Sequence, residues 1–184
     1  AVTNMGDMLS GTALSDTNKG LIETTFSTNA NWPYDWSAFV FAPPITDANF
    51  TTAINLWFSD EAAATSTYGH IKDWNVSGVT NMYQAFKDKT TFDENISAWN
   101  VGNVTNMGWM FEKASSFNQD IGDWNVGNLT TMIGMFYDAT SFNQDVGDWN
   151  TSAVTSMAFM FHGVTAFNQA VGDWNTSAVG SMEK

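Results

Sequence analysis

Apolar residues return at a fixed interval of 25 residues through more than half of the chain, and polar residues fill most of the positions between them. The asparagine that follows each tryptophan keeps the same step. Several unrelated residue types hold one period, so the pattern indicates structural units that pack against copies of themselves. We expect these residues to form the core of the repeat: Trp74, Trp99, Trp124, Trp149, Trp174, Met107, Met132, Met157, Phe117, Phe142 and Phe167.

Each repeat divides into two segments with different patterns. In AVTSMAFMFHGV (153–164), Val154, Met157 and Phe161 follow a helical spacing, and the breaking residue Gly163 follows them. The FNQDVG segment is too short for a helix and is typical of a brief strand followed by a turn. The sequence therefore predicts an α/β fold, a right-handed leucine-rich-repeat-like solenoid whose 25-residue coils combine short parallel strands with short helices.

Polar residues occupy regular positions on the predicted strand. Alternation along a strand points Ile121 and Val146 inward and Asp120 and Asp145 outward. The asparagines that follow the tryptophans are expected to bond the backbone of turns, coil after coil. The outward polar residues, which form rows on a rigid scaffold, are our candidate binding residues: Asn118, Asp120, Asn143, Asp145 and Asn168.

The first seventy residues depart from this period. AVTNMGDMLSGTALS (1–15) matches the second half of a repeat, so residues 1–42 are interpreted as the closing half-coil and cap of a preceding array. Residues 43–70 begin at a Pro-Pro pair, and an apolar stripe predicts a capping helix near 46–64. Residues 71–184 form the main repeat array. We favour a fragment of a longer tandem protein; a complete domain is the alternative.

The repeat units, which read VTNM..MF..A..FNQDI..WNV, resemble those of BspA-like surface proteins. They resemble more closely the 25-residue repeats of mycoplasma lipoproteins, over residues 46–184. The resemblance implies an extracellular, leucine-rich-repeat-like solenoid, and it includes members described as adhesins for host matrix proteins. It implies no enzymatic activity.

The acidic composition excludes several classes of partner. The net charge of −13 repels phosphate backbones and anionic lipid heads, so neither nucleic acid nor a membrane surface is an expected partner. No apolar run reaches about 18 residues, so membrane insertion is not expected. Without cysteine there is neither a disulfide framework nor a thiolate metal site.

Candidate chemistry is sparse. His70 and His162 stand at repeat positions that accept varied residues, and nothing in the spacing orients either as a base, so no catalytic residue is assigned. Stacked aspartates, such as Asp120 above Asp145, bring like charges together, and calcium would relieve that repulsion. Ala170 interrupts this row. We therefore assign no metal site and no cofactor, and calcium stays an alternative.

The favoured function is a non-catalytic module for adhesion or protein–protein interaction, outside the cell or on its surface. Its partner is expected to be a protein or a cell-surface glycoconjugate, with head-to-tail contacts through the solenoid ends as a further expectation. The alternatives are a structural spacer in a larger surface or virion protein and a carbohydrate-binding module, with or without calcium. Tyr83, Trp109 and Phe159, at positions that vary between repeats, form a second candidate contact surface.

Overall fold

The computed structural model describes residues 42–180, which contain two α-helices, one 3₁₀-helix and a long series of turns. Helix α1 spans Phe50–Ser59, helix α2 spans Glu61–Tyr68, and the 3₁₀-helix spans Ile71–Asp73. None of the helices in this range is long and apolar enough to cross a membrane. By its internal contacts the chain divides into two compact units, 1–43 and 44–184. The half-coil and cap expected in 1–42 lie almost wholly outside the described residues.

The single helix expected near 46–64 is two helices in the structure. Asp60 separates them with a non-helical backbone, and its carboxylate accepts the N–H of Ala63 over 3.0 Å, which caps α2. Helix α1 buries an apolar face against the first coil, where Trp57 meets Trp74 edge to face at 6.3 Å between ring centroids. Phe58 contacts Phe92 in the same way at 5.7 Å. The two helices thus bury the apolar edge of the first coil.

Polar contacts also join this cap to the first coil. The carboxylate of Asp47 accepts the backbone N–H of Thr80 over 2.8 Å and its hydroxyl over 2.6 Å. The pKa of Asp47 is lowered below its usual value. The hydrogen bond from the Thr80 hydroxyl is the largest cause, and the one from the Thr80 backbone N–H is the next.

From residue 82 onward, overlapping turns stand where helical segments were expected. The N–H of Ala85 donates to the carbonyl of Met82 over 3.2 Å, three residues earlier, and closes a turn. The N–H of Gln84, inside that turn, donates to the carbonyl of Gly108 in the next coil over 3.1 Å. Alternate N–H groups therefore close turns and bond to the following coil, so each coil is tied to its neighbour along this surface, which we name the turn face.

The prediction of an α/β leucine-rich-repeat-like solenoid is wrong. Two residues in each coil have positive φ, which breaks an α-helical hydrogen-bond ladder. Parallel pairing is limited, in residues 42–180, to isolated bridges, and FNQDVG forms no strand. The helical spacing in 153–164 fits a series of overlapping turns equally well. In the coils, the residues at positive φ are Gln84, Asp88, Trp109, Lys113, Gly134, Asp138, Phe159 and Gly163.

The core consists of aromatic columns that run through the coils. Phe111 stacks on Phe117 within its coil at 4.0 Å between ring centroids and on Phe136 of the next coil at 5.5 Å. Phe117 stacks on Phe142 at 6.1 Å. The predicted core residues lie in these columns or beside them; Phe167 and Trp174 are half-buried and the others are buried. Because each ring touches copies above and below it, burial is shared between coils rather than held within one.

The tryptophans tie each coil to the one before it. The indole N–H of Trp124 donates to the carbonyl of Ile96 over 3.2 Å, and that of Trp149 donates to Ile121 over 3.1 Å. Both bonds reach 28 residues back along the chain. The fixed interval between tryptophans thus provides an indole hydrogen bond between coils as well as apolar contact.

Candidate binding site

The first candidate surface is the polar row predicted from the strand pattern, and part of it holds the coils together. The side-chain oxygen of Asn118 accepts the N–H of Asn143 over 2.9 Å and the amide of Gln144 over 3.1 Å. Asn143 accepts from Asn168 and Gln169 in the same way, at 2.8 and 3.1 Å. The side-chain oxygens of Asn118 and Asn143 are therefore occupied by contacts between coils.

The remaining residues of that row are exposed. Asp120 accepts the N–H of Gly122 over 3.1 Å, and Asp145 accepts that of Gly147 over 2.9 Å. With Asp123 and Asp148, the two aspartates line a shallow hollow of about 210 Å³, which we name the acidic hollow. Within residues 42–180, no group of three or more acidic or histidine side chains is arranged to hold a metal ion.

The asparagines that follow the tryptophans have the structural role predicted for them. Asn100 accepts the N–H of Gly102 over 3.1 Å, and Asn125 accepts that of Gly127 over 3.2 Å. Asn150 closes the equivalent turn with Ser152 at 3.2 Å. That prediction is confirmed, and it leaves these side chains as part of the scaffold.

The second candidate surface lies on the turn face, where two aromatic rings meet across a glycine. Trp109 and Phe159 occupy the same repeat position two coils apart, with ring centroids 6.4 Å apart and planes inclined by 25°. Gly134 stands between them, and a Cβ there would lie 2.3 Å from Cε3 of Trp109. The absence of a side chain at Gly134 therefore lets the indole lie flat against the backbone and reach toward the second ring.

These two rings belong to an open groove with a mixed polar and aromatic lining. The ring centroid of Tyr137 lies 5.6 Å from that of Trp109, and the two ring planes are inclined by 55°. The groove encloses about 490 Å³, and Tyr83, which is 48 % exposed, lies outside its lining. We name this the aromatic groove; it is lined by Trp109, Glu112, Lys113, Tyr137, Asp138 and Phe159.

One ion pair and several further polar side chains lie around the aromatic groove. Glu112 is only 8 % exposed, and its carboxylate lies 2.8 Å from the ammonium of Lys87. That hydrogen bond raises the pKa of Lys87 above its usual value. Asp138 lies 3.9 Å from a ring nitrogen of His162, and Lys113 lines the same groove. The groove offers carboxylate acceptors and an ammonium donor beside aromatic faces.

Only some of the residues that line this groove can be recognised from the sequence. Tyr83, Trp109 and Phe159 stand out because their positions vary between repeats, and the structure joins the last two. Tyr137 was not predicted as a groove residue, although its repeat position also varies. The same position holds Lys87, Glu112 and His162 in the other coils. Residue type varies between coils at the repeat position of Trp109 and Phe159 and at that of Tyr137. This variation on one surface is the sequence signal that identifies the groove.

Comparison with known proteins gives a family without an assigned activity. A family model described as "Mycoplasma protein of unknown function, DUF285" matches residues 52–174, which is more than half of the chain. No curated protein and no solved structure matches the sequence. The match covers most of α1, all of α2 and the stacked coils that carry both candidate surfaces. The chain therefore belongs to this mycoplasma family of unknown function, DUF285.

Proposed function

We propose that the chain is a non-catalytic adhesion or interaction module of an extracellular surface protein, and that it binds its partner through the aromatic groove. One observation carries this proposal. Trp109 and Phe159 are bulky residues held at φ values of 56° and 59°, whereas Gly134 occupies the same position in the coil between them. Glutamine holds this position in the first coil, at Gln84, so the fold does not require an aromatic ring there.

The conformational energy of this backbone position also favours a binding role. Positive φ costs a residue with a side chain about 1–2 kcal/mol, and folding alone favours glycine at this position. Neither ring completes a buried column, because both are half-exposed. Backbone strain that is kept outside the core is typical of binding sites, where a side chain must be presented in one orientation.

The scaffold beneath the groove favours tight presentation of its side chains. The backbone N–H of Trp109 donates to Ile133 over 2.8 Å, and that of Gly134 donates to Ala158 over 2.8 Å. These bonds fix the three coils under the groove relative to one another. A preorganised surface loses little conformational freedom when a partner binds, which favours affinity.

Adhesion of beads coated with the protein to host cells and to immobilised matrix proteins tests this proposal. A Trp109→Gly/Phe159→Gly variant removes both rings but keeps a backbone that Gly134 already adopts, so its melting temperature should stay close to that of the wild type. We expect its adhesion to fall about tenfold or more, since buried aromatic anchors dominate binding energies. Tyr83→Ser is the matched control, because it removes an exposed ring outside the groove.

The acidic hollow supplies the competing outcome. An Asp120→Ser/Asp145→Ser variant should adhere like the wild type if the aromatic groove is the contact surface. Loss of adhesion in this variant alone would move the contact to the polar row. Full adhesion by both variants, or none by the wild type, would overturn the proposal and favour a spacer.

A further inference from the structure

We infer that the aromatic groove binds a neutral saccharide, an inference that rests on the proposed function and names the chemistry of its ligand. The geometry of the rings is the first support. A pyranose presents a face of C–H groups that packs flat on an aromatic ring, and Trp109 and Phe159 offer two faces inclined by only 25°. Tyr137, at 55° to the indole, forms a side wall rather than a third parallel face. The groove volume of about 490 Å³ falls in the range of small-ligand sites.

The polar lining is the second support. A sugar hydroxyl both donates and accepts hydrogen bonds, so a site for it needs acceptors and donors close to the aromatic platform. Glu112 and Asp138 provide acceptors, Lys113 provides a donor, and the hydroxyl of Tyr137 does both. A groove meant only for an apolar side chain would lose binding energy by desolvating these charged groups.

The charge balance decides between ligand classes. Although the chain carries a net charge of −13, the carboxylate of Glu112 is paired with Lys87, and Asp138 lines the groove together with Lys113. A cationic peptide would find a stronger field at the acidic hollow, whose lining includes Asp120 and no lysine. An anionic glycan would meet the carboxylate of Asp138. A ligand without net charge avoids both conflicts.

The test uses the full chain and a defined set of probes. Cello-, malto- and chito-oligosaccharides and N-acetyllactosamine represent neutral glycans, while heparin and oligolysine represent the two charged classes. Binding is measured by calorimetry, and the indole N–H signals of ¹⁵N-labelled protein locate it by NMR. We expect at least one neutral probe to bind and to shift the Trp109 signal. Its affinity should change less than about twofold between roughly 50 and 500 mM NaCl, because screening acts on charges.

Variants connect that binding to the groove. Trp109→Gly should weaken it about tenfold or more, because the variant removes both the stacking contact and its buried area. Tyr83→Ser should bind like the wild type. Equal affinity in Trp109→Gly, no binding of any neutral probe, or salt-sensitive binding of heparin or oligolysine at Trp109 would each overturn the inference.

The two proposals fail separately. If no saccharide binds but bead adhesion still requires Trp109 and Phe159, the groove serves a different ligand and the module proposal stands. If a saccharide binds at Trp109 but adhesion ignores the groove, the saccharide inference stands and the adhesion role of the groove is wrong.

Discussion

Two tryptophans of one repeat unit, Trp109 and Trp124, show how differently the protein uses one residue type. Trp124 is 4 % exposed, belongs to the buried core and donates its indole N–H to the carbonyl of Ile96 in the preceding coil. Trp109 is half-exposed, has a positive φ and lies across Gly134 on the turn face. One is repeated in every coil and the other is not. In this protein, periodic residues build the stack, and large residues outside the period mark the surface that we propose for binding.

The largest expected effect compares these two residues directly. Trp124→Ala should lower the free energy of unfolding by about 3–5 kcal/mol, because it leaves a cavity shared by two coils and removes a buried hydrogen bond. Trp109→Gly should change it by less than about 1 kcal/mol, because relief of strain offsets the lost contact. Urea denaturation followed by circular dichroism measures both. A similar loss of unfolding free energy in the two variants would show that the buried core and the turn face contribute equally to stability.

The next effect concerns glycines that face a neighbouring coil. A Cβ on Gly122 would lie 2.6 Å from the carbonyl oxygen of Asp145, whereas one on Gly172 would meet nothing within 4 Å. We expect Gly122→Ala to cost about 1–3 kcal/mol and Gly172→Ala to be close to neutral. Thermal unfolding of the two variants side by side checks this. If Gly122→Ala leaves the melting temperature unchanged, the neighbouring coils can move apart at the contact between Gly122 and Asp145 with little loss of stability.

A smaller effect, of opposite sign, is expected on the turn face. Lys113 has a φ of 57° and is exposed, and Gly163 occupies the same repeat position two coils later. Lys113→Gly should stabilise the protein by up to about 1 kcal/mol, because relief of strain exceeds the entropy that glycine adds to the unfolded chain. Lys113→Ala, which keeps the strain without the charge, is the control. A destabilised glycine variant would mean that this backbone position carries little strain.

The smallest effect distinguishes the polar junction of the cap from the apolar columns. The pKa of Asp47 is lowered, so its contribution to stability is present above the ordinary value of 3.8 and is lost as the pH falls through the lower folded value. Asp47→Asn should melt below the wild type at neutral pH, and the two should converge in acid. A gap that persists below the folded pKa would assign the effect to geometry rather than ionisation.

Features that arise from repetition were predictable from the sequence, whereas features that depend on backbone conformation were not. The interval between tryptophans identified the residues that meet between coils, and Asn100 and Asn125 were correctly given to turns. The helices expected in each coil were wrong because apolar spacing of three and four residues also fits overlapping turns. Whether Gln84 or Asp88 adopts a positive φ depends on hydrogen bonds to the next coil, which no pattern within one repeat contains.

The groove was only partly predictable for a related reason. Trp109 and Phe159 are 50 positions apart, and their contact requires the intervening Gly134 to have no side chain. The repeat pattern contains these three residues only as one variable position. It cannot show that their order, aromatic then glycine then aromatic, makes one surface.

The alternating hydrogen bonds of the turn face have a mechanical consequence. Within each junction several bonds, such as those from Met82, Gln84 and Phe86 to the next coil, share a load in parallel. Successive junctions carry the same load in series. A pulling force applied through the two ends of the stack should therefore break it one junction at a time. Each rupture frees one period of chain, about 80–90 Å when extended, so a surface protein built this way would lengthen in equal steps under tension instead of detaching at once.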